Sequence, residues 1–123
     1  MKDLLLATTN AGKIKEISEI LADVPLRLLT PADFGLDLVV SENSGSYFGN
    51  ARLKASQYAA AAGIPALADD SGLEVEALGG DPGVHSRRFS PTPSATDRDR
   101  CQYLLEKLKN IPRPWKARFV CAV

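Results

Sequence analysis

The chain has 123 residues, of which 45% are hydrophobic and 24% charged, proportions that suit one soluble domain with an ordinary buried core. Fifteen Lys and Arg balance fifteen Asp and Glu, so no overall field draws the protein to nucleic acid or to an anionic membrane, and any anionic ligand must be held by a local cluster. No apolar run approaches a membrane span, and the charged Lys2-Asp3 start lacks the long apolar stretch of a signal peptide. The expectation is a cytoplasmic protein with neither nucleic-acid nor membrane partners. Cys101 and Cys121 are too few for a disulfide framework and lack metal-site spacing, so they read as reduced thiols, with Cys121 a small core residue.

In chain order, Leu4-Leu5-Leu6-Ala7 is a short apolar run broken by Thr8-Thr9-Asn10-Ala11-Gly12. After it Ile14, Ile17, Ile20 and Leu21 recur at helical spacing. This is strand, turn, helix. Thr8, Thr9 and Asn10 are natural cap residues, and the helix they open points backbone N–H groups and a positive dipole end at the loop. Gly12 allows close backbone approach and Lys13 adds an ammonium, so the segment fits a phosphate cradle, although the Walker pattern is absent and simple helix capping is the favoured reading of the segment taken alone. Leu26, Leu28 and Leu29 suggest a second strand, and Pro31 to Gly35 a turn or short helix entered by proline. Leu36 to Val40 is apolar again and leads into the polar loop Ser41 to Ser46.

Tyr47 to Ala62 reads as an Ala-rich helix able to pack closely on a sheet, with Asn50 and Lys54 four apart on one face. Gly63-Ile64-Pro65 ends it and opens a strand that runs to Asp69. The adjacent carboxylates Asp69 and Asp70 then repel one another at the end of an apolar strand, and a cation is expected opposite them. Ser71-Gly72 reads as a turn, and Leu73, Val75 and Ala77 alternate with Glu74 and Glu76 as a half-exposed strand does. Val84 to Phe89 reads as a loop carrying Arg87 and Arg88, and His85, the only histidine, as a surface residue. Thr96 to Leu108 is a helix with Leu104, Leu105 and Leu108 as its apolar stripe, and Ala117 to Val123 a strand. That strand ends the sequence on an apolar run, which leads us to expect a shortened chain or a strand completed by a partner subunit.

In alternating α/β chains the strand ends and helix starts gather at one edge, where ligands bind. Thr8 to Lys13, Glu42, Asn50 with Lys54, and Asp69 to Gly72 all fall at such places. Two lysines, hydroxyl groups and a helix N-terminus suit a polyphosphate, while Glu42 with one Asp of the pair suits a hard cation such as Mg²⁺.

These residues carry a resemblance. Ala7-Thr8-Thr9-Asn10-Ala11-Gly12-Lys13 with Glu16, Glu42 followed by Asn50-Ala51 and Lys54-Ala55, Ala68-Asp69-Asp70-Ser71-Gly72-Leu73, Pro82 to Arg88, and Ala117-Arg118-Phe119 with Cys121 occur in an order and spacing that strongly resemble the inosine triphosphate pyrophosphatases, also called XTP/dITP diphosphatases. The resemblance covers nearly the whole chain. It implies an α/β fold with a mixed, twisted central sheet flanked by helices, two lobes around a substrate cleft, and a homodimer. Residues 1–123 would form one domain of that kind, without the C-terminal part of the family fold. The implied activity is Mg²⁺-dependent hydrolysis of ITP, dITP and XTP to the monophosphate and pyrophosphate, which cleans the nucleotide pool.

Carried over by matching position, Thr8, Thr9, Asn10, Ala11, Gly12 and Lys13 would form the triphosphate loop and Lys54 a second phosphate cation. Glu42 and Asp70 would be the magnesium-associated acids, Asp70 also the general base, and Ser71 a substrate-binding serine. The chain departs from the family in having Glu42-Asn43-Ser44-Gly45 where Glu-Thr-Gly is usual, in Phe48 and Gly49 at commonly polar positions, and in Arg87 at a usually small one. The family's base-framing Phe-Gly-Tyr-Asp and Ser-His-Arg motifs do not occur in it. The alternative is therefore a non-catalytic nucleotide- or phosphate-binding module of the same fold.

Overall fold

The computed structural model describes residues 1–123. The chain divides into two compact units, one comprising Met1–Asp69 with Val123 and the other Asp70–Ala122.

The first unit is built on a parallel sheet. Strand β1 (Lys2–Leu6) lies between β2 (Leu26–Leu29) and β3 (Ala66–Leu67), with Leu4 opposite Leu28 and Leu6 opposite Leu67. A central parallel strand is covered on both faces. Accordingly, the adjacent Leu5 and Leu6 are each 0% exposed although their side chains leave opposite faces. Helix α1 (Ala11–Ile20) follows β1, and helix α2 (Tyr47–Ala62) matches the predicted span. Its small side chains allow a close approach: Ala55, Ala62 and Tyr58 join Leu5, Ala7, Ala66 and Ala68 in the core. The apolar run before it is not a strand. Leu36, Leu38 and Val40 pack on the same core from irregular backbone, and the Leu38 carbonyl accepts from the Tyr58 hydroxyl at 3.5 Å.

Gly63, with φ +73°, ends α2 in the left-handed conformation that glycine adopts without strain. The strand expected over 64–69 is only the two residues of β3. Because β3 follows α2 directly and is parallel to β1, α2 runs back along the sheet. Its N-terminal half is thereby brought toward the carboxyl edge of the strands, where the β1–α1 loop also lies.

The second unit contains an antiparallel pair, β4 (Asp70–Val75) with β5 (Ala117–Ala122), in register from Asp70 opposite Ala122 to Val75 opposite Ala117. This corrects the turn expected at Ser71-Gly72: with β5 alongside, both residues are in the ladder, and the irregular backbone is at Ala68 and Asp69 instead. The alternation of 73–77 stops at Val75, since Glu76–Leu78 is a 3₁₀ turn ended by Gly79. Gly83–Arg88 is likewise a 3₁₀ helix and not an open loop. Ser86 ties it to β4, accepting from the Leu73 N–H at 2.9 Å and donating to the Gly83 carbonyl at 2.6 Å. Helix α3 (Asp97–Leu108) starts at a capping box formed by Thr96 and Asp99. Of its expected stripe, Leu108 is buried, Leu104 half-buried and Leu105 exposed. Phe89 meets the Tyr103 ring edge-on at 5.0 Å between centroids. Cys121 is exposed, contrary to the core position expected of it, because it stands on a two-stranded ladder; Cys101 is exposed as well, and neither forms a disulfide.

Candidate functional site

The carboxyl edge of the parallel sheet gathers most of the residues singled out from the sequence. As β1 ends, the Ala7 N–H donates to the Leu67 carbonyl at 2.8 Å, so the segments leaving β1 and β3 start side by side. Thr8 Oγ1 accepts from the Asn10 N–H at 3.1 Å, and Asn10 Oδ1 accepts from the Lys13 N–H at 3.1 Å, which makes Asn10 the N-cap of α1. A Cβ on Gly12 would lie 3.2 Å from that capping oxygen, so glycine keeps the cap unobstructed. Thr9, Ala11 and Gly12 are exposed and Thr8 half-buried. The first turn of α1 contains no acidic side chain, leaving its positive end uncompensated within the helix.

The cation expected opposite the aspartate pair is Lys13. Its Nζ lies 2.9 Å from Asp69 Oδ2, with the lysine side chain 30% and the aspartate 13% exposed. Asp69 is two residues beyond Leu67, and Lys13 is in the first turn after Leu6. The parallel register therefore forces this meeting between residues distant in sequence.

A second pair has the same form. Lys54, on the second turn of α2, places Nζ 3.0 Å from Glu42 Oε1. The loop carrying Glu42 is pinned to the start of α2, where the buried Asn50 Oδ1 accepts from the Ser44 N–H at 3.1 Å and from Ser44 Oγ at 2.8 Å. Ser46 caps the helix by accepting from the Gly49 N–H at 3.0 Å. Gly49 is needed for this packing: a Cβ there would fall 2.4 Å from Ser44 Oγ and 2.6 Å from Ser44 Cβ. The sequence marked Asn50 and Lys54 as sharing a helix face, but not the part that Ser44 and Gly49 play in it. Their only signal was departure from the expected pattern around Glu42.

The remaining candidates belong to the second unit. Asp70 is buried, 8% exposed, at the first position of β4, and Ser71 beside it is half-buried opposite Cys121. The pair of aspartates is thus divided, Asp69 ending one unit and Asp70 beginning the other.

As a test for a metal, no three His, Cys, Asp or Glu side chains converge into a site of their own. Mg²⁺ commonly takes one or two carboxylates and completes its shell with water and substrate phosphates. A hard oxygen donor such as Glu42 fits that use, provided that Lys54 shares or yields it.

The sequence model of the Ham1 family matches residues 4–123. The chain belongs to the Ham1 family. A Thermus thermophilus relative named dITP/XTP pyrophosphatase is 50% identical over 98% of this Ham1 chain and 57% of its own length. A Shigella flexneri relative of the same name is 44% identical over 100% of this chain and 62% of its own. Among solved structures, a HAM1 protein from Coxiella burnetii superposes with a TM-score of 0.86 at 36% identity, covering 98% of this chain and 61% of that one. A Mycobacterium abscessus protein titled nucleoside-triphosphatase / dITP/XTP pyrophosphatase gives a TM-score of 0.76 at 34% identity, covering 98% and 63%. The α/β architecture is therefore that of Ham1 proteins, and the chain spans about three fifths of the relatives it matches. No helix of this Ham1 chain is long and apolar enough to cross a membrane.

Proposed function

We propose that this chain is the phosphate-handling part of a Mg²⁺-dependent nucleoside triphosphate pyrophosphatase acting on ITP, dITP and XTP, and that it works as a homodimer in the cytoplasm. The observation that carries the reading is the pair of partly buried lysines, Lys13 and Lys54, at the carboxyl edge of a parallel sheet beside the α1 N-terminus. They lie in the motifs that carry the resemblance, in a chain 44% and 50% identical to two relatives named dITP/XTP pyrophosphatase.

In this proposal Thr8 to Lys13 cradle the phosphates and Lys54 neutralises a further oxygen. Within a partly shielded edge, a lysine roughly 4 Å from a phosphate charge gains about 4 kcal/mol per unit charge, against about 1 in bulk-like water. Shielding matters more than the number of lysines. Glu42 would hold Mg²⁺, which when bound would supply charge stabilisation on the phosphate oxygens. Asp70 acts as the general base that orients and deprotonates the attacking water, and Ser71 contacts the substrate. This assignment leaves Asp69 outside the chemistry, as the partner of Lys13.

The test is to incubate the folded protein with ITP, XTP and ATP plus Mg²⁺ and to measure pyrophosphate. Release of pyrophosphate from at least one of them is expected. Release from none of them overturns the catalytic reading for this chain; nucleotide binding retained under those conditions supports the non-catalytic binding module in its place.

A further inference from the structure

The loop that carries Glu42 is attached to one face of α2 at two points. Asn50 and Lys54 stand a turn apart on that helix, about 6 Å along its axis. Asn50 Oδ1 accepts from Ser44, and Lys54 pairs with Glu42. Two residues of chain span at most roughly 7 Å, so the segment from Glu42 to Ser44 has the reach to lie along that face. It runs against the helix direction, and the chain then reverses through Gly45, with φ +80°, into the Ser46 cap.

The attachment at Asn50 is the firmer of the two. Asn50 is 2% exposed, and its amide oxygen takes both a backbone N–H and a hydroxyl bond from Ser44; a buried oxygen stripped of its donors is costly. Ser44 Oγ also accepts from the Ser46 N–H at 3.2 Å. It sits where a side chain at position 49 would begin, 2.4 Å from the ideal Cβ, so the hydroxyl fits there only because residue 49 is glycine. The attachment at Lys54 is an ion pair between two long side chains, which gives little hold of its own.

We propose that Ser44 is a positioning residue of the candidate site: its hydroxyl, seated over Gly49 and bonded to Asn50, sets the register in which Glu42 faces Lys54. The consequence for turnover rests on reading Lys54 as a phosphate cation. Ser44 acts through the backbone it anchors. With the hydroxyl in place, Glu42 is presented one helical turn from the anchor; without it the loop opens more often and Lys54 is uncovered.

The experiment measures acylation of individual lysines by acetic anhydride, read by mass spectrometry, in ligand-free wild type, Ser44→Ala, Asn50→Ala and Ser46→Ala, with Lys13 as the internal reference. A lysine side chain only 16% exposed is labelled chiefly when the loop over it opens. Ser44→Ala, which loses one hydrogen bond, should raise the Lys54 rate about three- to tenfold, and Asn50→Ala, which loses both, should raise it further. Ser46→Ala removes the α2 cap but not the Ser44–Asn50 bonds, so it should lower Tm and leave Lys54 as in wild type. An unchanged Lys54 rate in Ser44→Ala overturns the proposal. So does an equal rise in Ser46→Ala, which would make the effect one of helix stability. Ser44 is exposed, so its variant keeps the test open if Asn50→Ala does not fold. Pyrophosphate release from ITP is then compared, and Ser44→Ala should lower it about tenfold or more. A wild-type rate in Ser44→Ala with Lys54 uncovered overturns the part in turnover. No release from wild type overturns the phosphate reading and leaves the positioning role to the ligand-free labelling.

Discussion

At the residue scale, neighbouring carboxylates end up in different surroundings because the backbone changes character between them. Asp69 is still in the irregular segment after β3 and reaches Lys13, whereas Asp70 is the first ladder residue of β4 and is buried. If Asp70 is the base, Asp70→Asn abolishes pyrophosphate release, by about 10²-fold or more, while nucleotide binding changes little, since the amide keeps the volume and loses the proton acceptor. A variant retaining the wild-type rate would remove Asp70 from that role. A different carboxylate gives a pH prediction. Asp99 is held below the ordinary carboxylate range chiefly by hydrogen bonds from the Thr96 backbone and hydroxyl, with Arg100 adding to the effect. A depressed value in the folded state means that the cap of α3 is fully effective above the ordinary carboxylate pKa and is lost as pH falls through the lower, folded one. In an NMR titration the Asp99 carboxyl should therefore titrate below a free aspartate, and Thr96→Ala should return it upward. Asp3 behaves alike for another reason, its carboxylate being hydrogen-bonded by Arg27 from β2.

At the element scale, what was legible in the sequence was whatever depended on local periodicity and capping. α2 runs from Tyr47 to Ala62 as its alanine spacing predicts, and α3 begins at Thr96 because a Thr and an Asp three residues on satisfy each other's backbone donors. What was not legible depended on distant partners. Ser71-Gly72 has turn composition, but β5, some fifty residues later, draws it into a ladder. Cys121 looks apolar enough for a core, yet its strand has a neighbour on one side only in its two-stranded sheet. The loop carrying Glu42 was flagged as unusual, but the hold that Ser44, Gly49 and Asn50 exert on it can be seen only in three dimensions. That hold is testable. Gly49→Ala gains about 1 kcal/mol of helix propensity, but its methyl group would collide with both atoms of the Ser44 side chain, and overpacking costs typically about 1–3 kcal/mol. The variant should come out less stable than wild type in thermal unfolding; a rise in Tm would show that the loop gives way freely.

At the scale of the whole molecule, the first unit has its own core around Leu5, Ala7, Tyr58 and Ala68, and that core lies directly beneath the candidate edge. Leu5→Ala should destabilise by about 2–5 kcal/mol, as truncation at a fully buried position does, with the loss read from denaturant midpoints. A shift of less than about 1 kcal/mol would mean that the site can collapse around the missing atoms. Likeness to Ham1 structures at TM-scores of 0.86 and 0.76 carries the architecture, while chemistry rests on individual side chains. One such contact also bears on how the protein reaches its native state. The Lys13–Asp69 bridge joins residues far apart in sequence and depends on β1 and β3 having already aligned. Contacts of such long sequence separation are slow to form because loop closure precedes their reward. A polyphosphate recognising this edge would therefore find nothing to grip in an unfolded chain. Where the edge forms after the folding barrier, bound ligand would prolong the lifetime of the folded protein while leaving its rate of formation unchanged.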